Sequence, residues 1–141
     1  KVGDFGLSRR VACHTAGLLD SWRWLAPEVI NINAQRNEYD ERADVYSFGI
    51  ILWELATRVT PFDQYWDDPR FTHSITDEEG HTKSSLDEFH IRQAIVEEDL
   101  RPTIPPHVPS PYRDLISGCW AGLPAKRPHI DSVVKVLELM Q

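Results

Sequence analysis

The stretch DVYSFGIILWELAT, residues 44 to 57, constrains the fold of this chain more than any other. Eight of its fourteen residues are apolar, and on a helix they would be spread nearly all round the axis. Asp44 suits either the N-cap or the first turn, where its charge complements the helix dipole. A helix that is apolar on nearly every side belongs in the middle of a domain. The sequence therefore predicts a central helix surrounded by a shell of other elements.

The rest of the chain is predicted to be mainly helical, with polar connections. A capping-box pattern starting at Ser85 indicates a helix that extends to about Glu97. Ser110 is expected to be the N-cap of a further helix, because a proline follows it. Also predicted are a short strand at 1–5, a helical piece at 28–32, a polar loop at 58–84, a proline-stiffened connector at 101–111 and a final helix from about 130.

Apolar residues at helical spacing predict which side chains form the core. One stripe runs along the helix that follows Ser110, and a second runs along the final helix. Cys119 lies on the first stripe, so packing is a better interpretation of it than chemistry. The predicted core includes Trp53, Leu115, Trp120 and the final-helix stripe of Ile130, Val133, Val134, Leu137 and Met140.

Acidic residues are concentrated in one part of the chain. The 141 residues carry a formal net charge of -7. Residues 63–99 contain 11 acids and three bases, a local charge of -8, and the rest sums to about +1. This balance argues against nucleic acid as a partner, since phosphate backbones attract basic surfaces. No metal-ligand spacing is met in this region, so a solvated acidic surface is the expected interpretation.

The cysteines and the hydropathy of the chain favour a reducing, cytosolic setting. Cys13 and Cys119 are the two cysteines, and neither belongs to a C-x-x-C pair. No apolar run reaches the 18 or so residues of a membrane span. We therefore expect a cytoplasmic protein, or the cytosolic part of a receptor whose anchor lies outside this chain.

Four motifs occur in a fixed order along the whole chain. They are GDFGL at 3–7, RWLAPEV at 23–29, DVYSFGIILWEL at 44–55 and CWAGLPAKRP at 119–128. This succession resembles the C-terminal lobe of a eukaryotic protein kinase, from the D-F-G loop to the final helix. The details around Trp24 and Tyr46 are most similar to the tyrosine-kinase-like group of serine/threonine kinases. The resemblance implies the helical C-terminal half of a fold that is α+β when complete.

The resemblance implies that the first motif helps to bind ATP and Mg²⁺. Gly3, Asp4, Phe5 and Gly6 would form the cofactor-binding loop, and Asp4 would be the metal ligand. Phe5 would pack the loop in place, while Gly6 gives its backbone freedom to move. The alternative is that Asp4 is only a turn residue.

The residues between Asp4 and Glu28 resemble the activation segment of the family. Ser8, Thr15 and Ser21 are its phosphorylation candidates, and Arg9 would receive the phosphate. We prefer Thr15 as the phosphorylated residue; a solvated loop threonine is the alternative.

Ser21 also bears on specificity. It lies seven residues before Glu28, where serine/threonine kinases usually keep a hydroxyl that touches the catalytic base. Tyrosine kinases usually have a proline nearby instead, so the resemblance favours serine and threonine as acceptors. Asp20 departs from the glycine that is common at its position, and this puts turnover in question.

Three further residues match structural positions of the family. Glu28 and Arg127 would form a buried ion pair that ties the activation segment to the last helices. Asp44 would anchor the backbone of the catalytic loop. None of the three is expected to be catalytic.

Several catalytic motifs of the family are not found in this sequence. A glycine-rich loop, the strand lysine and H-R-D-x-x-x-x-N all precede D-F-G in kinases. Residues 1–141 are therefore expected to be a partial kinase domain, without the N-lobe or the catalytic base, and inactive alone. Three hypotheses remain open: part of an active serine/threonine kinase acting on protein substrates with ATP, part of a kinase-like pseudoenzyme, or a non-catalytic interaction scaffold.

Overall fold

The computed structural model describes residues 21–31 and 40–140, and these residues are mainly helical, as predicted. Within those ranges, no helix is both long enough and apolar enough to cross a membrane. The helices are α1 (Pro27–Ile30), α2 (Arg42–Thr57), α3 (Glu88–Glu97), α4 (Ser110–Cys119) and α5 (Ile130–Leu139), with strands β1 (Thr72–Thr76) and β2 (Thr82–Leu86) between α2 and α3. Single 3-10 turns are formed by Trp22–Trp24, Asp63–Tyr65 and Pro124–Lys126.

Helix α2 is the central element and packs against α4 at very short range. At Gly49, an added Cβ would lie 2.8 Å from the Cβ of Cys119 and 3.1 Å from the backbone N of Trp120. The second of these atoms belongs to the backbone and cannot be moved by a rotamer change. A glycine at this position therefore sets how closely the two helices approach.

The main core lies between α2, α4 and α5, with α1 at its edge. Trp53, Leu115, Cys119 and Trp120 are buried here, which confirms the prediction for these four residues. Trp53 is also tied to the proline-rich connector, because its indole Nε1 donates a 2.9 Å hydrogen bond to the carbonyl of Thr103. The buried members of this cluster are Ala26, Ala43, Val45, Tyr46, Ile50, Leu52, Trp53, Leu115, Ile116, Cys119, Trp120 and Val133.

The predicted core stripe of the final helix is wrong for most of its residues. Val133 is fully buried and Leu137 is partly buried, whereas Ile130, Val134 and Met140 are exposed. Periodicity identifies the apolar side of a helix but does not show whether a neighbour covers it. Helix α2 shows the same effect on a smaller scale, since Leu55 is 67% exposed.

A second core joins α1 and α3 to the loop after α2. An aromatic chain runs through it, with ring centroids 5.7 Å apart for Trp22 and Phe62 and 5.5 Å apart for Tyr65 and Phe71. Its buried residues are Trp22, Ile30, Phe62, Phe71, Leu86, Ile91, Ala94 and Ile95. This cluster holds the segment around α1 against α3.

The polar loop predicted at 58–84 is largely a β-hairpin. Strands β1 and β2 pair antiparallel, with Thr72 opposite Leu86 and Thr76 opposite Thr82. Residues 73–84 are all exposed, so neither face of the hairpin shows the apolar–polar alternation that marks a strand in a sequence. Gly80 adopts a φ of 85° in the turn, a conformation in which glycine is favoured.

The predicted start of α3 is two residues too early. Ser85 pairs with His73 in the hairpin, and Asp87 is the N-cap, its carboxylate accepting a 3.1 Å hydrogen bond from the backbone N of His90. Phe89, in the first turn of α3, is 71% exposed. Helix α4 begins one residue earlier than predicted, because Ser110 is its first residue and Pro109 occupies the N-cap position.

The cap of α3 should give the protein a local pH dependence. The His90 side chain, with Nδ1 2.6 Å from the Asp87 carboxylate, lowers the pKa of Asp87, and the His90 backbone N–H adds to this effect. A lowered folded-state pKa means that the stabilisation is complete above the ordinary value of 3.8 and is lost as the pH falls through the folded value. The backbone amide resonance of His90 should therefore move with a midpoint below 3.8.

Asp87→Asn is the matched control for this titration. Asparagine is as good an N-cap as aspartate but does not titrate, so helix α3 should persist and the midpoint should vanish. An unchanged titration of the His90 amide in Asp87→Asn would show that another group causes it.

Candidate functional site

The predicted site residues fall into two groups. Gly3, Asp4, Phe5, Gly6, Ser8, Arg9 and Thr15 lie outside the described residues. Ser21, Glu28, Asp44 and Arg127 lie within them.

The structure brings Glu28 and Arg127 together across 99 residues of sequence. The guanidinium NH1 donates to Glu28 Oε1 at 2.6 Å, and NH2 donates to Oε2 at 2.8 Å. This is the bidentate geometry in which arginine binds carboxylate most strongly. The Arg127 side chain is fully buried and that of Glu28 is 23% exposed. The pair joins α1 to the segment between α4 and α5.

Arg127 uses its remaining donors on backbone carbonyls. Its Nε donates to Ala121 at 2.9 Å, its NH1 to Arg42 at 2.9 Å and its NH2 to Gly122 at 3.3 Å. With the two bonds to Glu28, all five guanidinium N–H groups have a partner. The buried cation is thereby fully satisfied, and it links α1, the start of α2 and the loop after α4.

Tyr46 lies between two arginines in the centre of this arrangement. The guanidinium carbons of Arg101 and Arg127 are 4.9 Å and 5.2 Å from its ring centroid, a cation–π distance. Its hydroxyl is buried without a hydrogen-bond partner among the described residues. Burial raises the pKa of Tyr46 to about 12, against the opposing effect of the two cations. Tyr46 is therefore neutral at physiological pH.

The sequence identifies Tyr46 only as a family marker and does not predict its contacts with Arg101 and Arg127. A tyrosine that follows an apolar residue on a buried helix gives no sign of its cationic neighbours. Arg101 and Arg127 are distant in sequence from Tyr46, and only the tertiary structure brings the three together.

Ser21 begins a turn that is fixed to the body of the protein. Its carbonyl accepts a hydrogen bond from the backbone N of Trp24 at 3.2 Å, and its hydroxyl makes none with the other described residues. The next residues hold the turn in place: Arg23 donates to Asp63 at 2.8 Å and to the carbonyl of Pro61, and the Trp24 indole donates to Glu54 at 3.0 Å.

Asp44 was predicted to lie at the N-cap or in the first turn of the central helix, and it lies in the first turn of α2. It is exposed and lines a cavity of about 470 Å³ between the start of α2 and the segment that leads into α5. Its carboxylate makes no hydrogen bond to another described residue. Its expected role as an anchor for the catalytic loop stays a prediction.

The acidic region at 63–99 is only partly neutralised by its own neighbours. Asp63 pairs with Arg23 at 2.8 Å, Asp68 with Arg70 at 2.9 Å and Asp99 with Arg101 at 2.7 Å. The described residues contain no group of three or more His, Cys, Asp or Glu side chains arranged to hold a metal ion. The acids without an ion pair among the described residues, such as Asp67, Glu78 and Glu88, are exposed.

Comparison with known proteins agrees with the motifs. The family model of protein tyrosine and serine/threonine kinases matches residues 1–137. Probable serine/threonine-protein kinase roco7 from Dictyostelium discoideum is 37% identical, over 100% of this chain and 5% of that protein.

Relatives in a plant and a mammal have similar identities. Serine/threonine/tyrosine-protein kinase HT1 from Arabidopsis thaliana is 34% identical, over 98% of this chain and 30% of that protein. Mitogen-activated protein kinase kinase kinase 7 from Bos taurus is 31% identical, over 97% of this chain and 20% of that protein. The chain thus spans less than a third of each of these relatives. The motifs, the helical architecture and the family match lead to one conclusion: the chain belongs to the family of protein tyrosine and serine/threonine kinases.

Proposed function

We propose that this chain is part of a longer protein, here called the parent protein, that transfers the γ-phosphate of ATP to serine or threonine of protein substrates. The observation that carries the proposal is the bidentate ion pair between Glu28 and Arg127. It fixes the end of the proposed activation segment to the helical body, which is what a substrate-binding segment needs in order to hold its shape. The chain would supply the D-F-G loop, this segment and the helices behind it.

Asp4 is the proposed magnesium ligand, with Gly3, Phe5 and Gly6 completing the loop. One carboxylate is a sufficient protein contribution, because Mg²⁺ is commonly held by one or two carboxylates together with substrate phosphates and water. A magnesium ion held there would supply charge neutralisation for the phosphates of ATP. These four residues would position the ion, and the general base would come from another part of the parent protein.

The activation segment is proposed to be regulated by phosphorylation at Thr15, with Ser8 and Ser21 as further candidates and Arg9 as the cation that receives the phosphate. The contacts at the described end of the segment support this proposal. From Arg23 onward the chain is held by side-chain bonds to Pro61, Asp63 and Glu54. A phosphate on Thr15 would then add charge-assisted hydrogen bonds to a segment whose end is already fixed.

The proposed substrates are proteins with basic residues around the acceptor hydroxyl. The unpaired carboxylates of the 63–99 region support this class through charge complementarity. Ser21 supports serine or threonine as the acceptor, as do the serine/threonine kinases among the relatives. A cytosolic location suits such substrates and the supply of ATP.

The proposal is tested by assaying the purified parent protein with ATP, Mg²⁺ and a peptide array. The array varies the acceptor between serine, threonine and tyrosine and sets basic against acidic flanking residues. We expect transfer to serine and threonine, strongest in the basic peptides. A preference for acidic peptides would contradict the substrate class, and a preference for tyrosine would contradict the role of Ser21.

The alternatives give different results in the same experiment. A pseudoenzyme would bind ATP, as measured by calorimetry, without transferring phosphate to any peptide. An interaction scaffold would show neither nucleotide binding nor transfer.

A further inference from the structure

The exposed tip of the hairpin carries a hydroxyl residue followed by three carboxylates. The sequence SITDEEG covers residues 74–80, with Thr76 directly before Asp77, Glu78 and Glu79. Thr76 is the last residue of β1 and is exposed, as is every residue from 73 to 84. A macromolecular partner can therefore reach the acceptor oxygen and the carboxylates together.

The bonds within the tip leave two of these carboxylates available. Asp77 is occupied by the turn, since its Oδ1 accepts hydrogen bonds from the backbone N of Glu79 at 3.0 Å and of His81 at 2.8 Å. Glu78 makes no hydrogen bond or ion pair with another described residue. The Glu79 side chain is 82% exposed, and its Oε2 lies 3.7 Å from His81 Nδ1.

The structure separates Thr76 from two other hydroxyl residues of the hairpin, Ser85 and Thr82. Ser85 also precedes acids, but it is half-buried, its hydroxyl lies 2.9 Å from His73 Nε2, and the following Asp87 is occupied as the N-cap of α3. Thr82 is as exposed as Thr76 and lies opposite it, with the two hydroxyl oxygens 3.1 Å apart. Thr82 is followed by Lys83 and two serines rather than by acids.

We propose that Thr76 is a phosphorylation site for a separate protein kinase whose peptide-binding groove is basic. Such a groove recognises an exposed hydroxyl by the carboxylates that follow it, through complementary charge. In the transfer, Thr76 Oγ1 forms a bond to the γ-phosphorus of ATP and the bond from that phosphorus to the bridging oxygen of ADP breaks. The hydroxyl proton passes to the base of the acting kinase.

Phosphorylation at this position would loosen the tip of the hairpin. It replaces the Thr76 hydroxyl that meets Thr82 and adds about -1.5 to -2 charges directly beside Asp77. Like charges at such short range repel, and the turn is held mainly by bonds to Asp77. The modified tip is therefore expected to exchange its backbone amides faster than the unmodified one.

The test uses the parent protein made in bacteria and a purified protein kinase that, on a peptide array, requires carboxylates within three residues after its acceptor. After incubation with ATP, the hairpin peptide is sequenced by mass spectrometry. We expect phosphate on Thr76. Thr76→Val should abolish labelling of this peptide, whereas Thr82→Val should leave it unchanged. The two variants are matched, because both remove the same hydroxyl contact.

A third variant tests whether the carboxylates direct the reaction. Glu78→Gln with Glu79→Gln keeps Thr76 and the Asp77 turn but should lower labelling about five- to tenfold, as expected for the loss of two exposed charge pairs. Phosphate on Ser74, Thr82 or Ser85 instead of Thr76 would overturn the proposal. It would also be overturned by full labelling of the double variant, or by labelling of a synthetic 72–86 peptide when the folded protein is not labelled.

Discussion

Replacing Arg127 by methionine is expected to lower the free energy of unfolding of the parent protein's kinase domain by about 3–5 kcal/mol. The change removes a fully buried cation and leaves the Glu28 carboxylate without its counter-charge. Because 23% of the Glu28 side chain is exposed, water screens part of the remaining charge, and a value near the lower limit is expected. Denaturant unfolding followed by tryptophan fluorescence measures the loss.

Two further variants separate the causes of that loss. Arg127→Met combined with Glu28→Gln removes the stranded charge and should recover part of the stability. If the double variant were as unstable as the single one, the three backbone carbonyls that Arg127 satisfies would account for the effect instead. Arg70→Met is the surface control. Its pair with Asp68 is solvent-exposed, so its removal should leave the unfolding midpoint close to that of the wild type.

Replacing Asp4 by asparagine is expected to reduce phosphate transfer by the parent protein about 10²–10³-fold, the scale of losing one preorganised electrostatic contact. The amide keeps the size of the side chain but removes the charge that would hold Mg²⁺. The Mg²⁺ concentration needed for half-maximal transfer should rise as well, which a purely structural role of Asp4 would not cause. Steady-state assays over a range of Mg²⁺ concentrations measure both quantities.

The matched control for Asp4 is Asp131→Asn. Asp131 is an exposed acid in the first turn of α5. The Asp131→Asn variant should therefore leave both the transfer rate and its Mg²⁺ dependence unchanged. Unchanged transfer in Asp4→Asn, with normal unfolding, would show that Asp4 is not the metal ligand.

The sequence predicted the framework of the fold well because the framework rests on periodic burial. The central helix and the helix after Ser110 have apolar residues at helical spacing, and their large side chains, such as Trp53 and Trp120, are buried as expected. The resemblance to the kinase motifs also predicted an ion pair between Glu28 and Arg127, although the local sequence of neither residue indicates its partner.

The features that were missed depend on contacts that periodicity does not encode. The hairpin has no buried face, so its strands show no apolar–polar alternation. The final helix has an apolar stripe, but its neighbours among the described residues cover Ile130 and Val134 only in part, leaving them 42% and 47% exposed. The placement of Tyr46 between two arginines depends on side chains from three separate parts of the chain.

The close approach of α2 and α4 at Gly49 makes Cys119 a reporter of helix separation. The thiol is fully buried, and burial raises its pKa to about 11, so it is neither accessible nor ionised in the folded protein at neutral pH. Alkylating reagents attack the thiolate, and they can reach this one only after the two helices have moved apart. In a parent protein whose other cysteines are replaced, the alkylation rate of Cys119 would therefore measure how often the core between α2 and α4 opens.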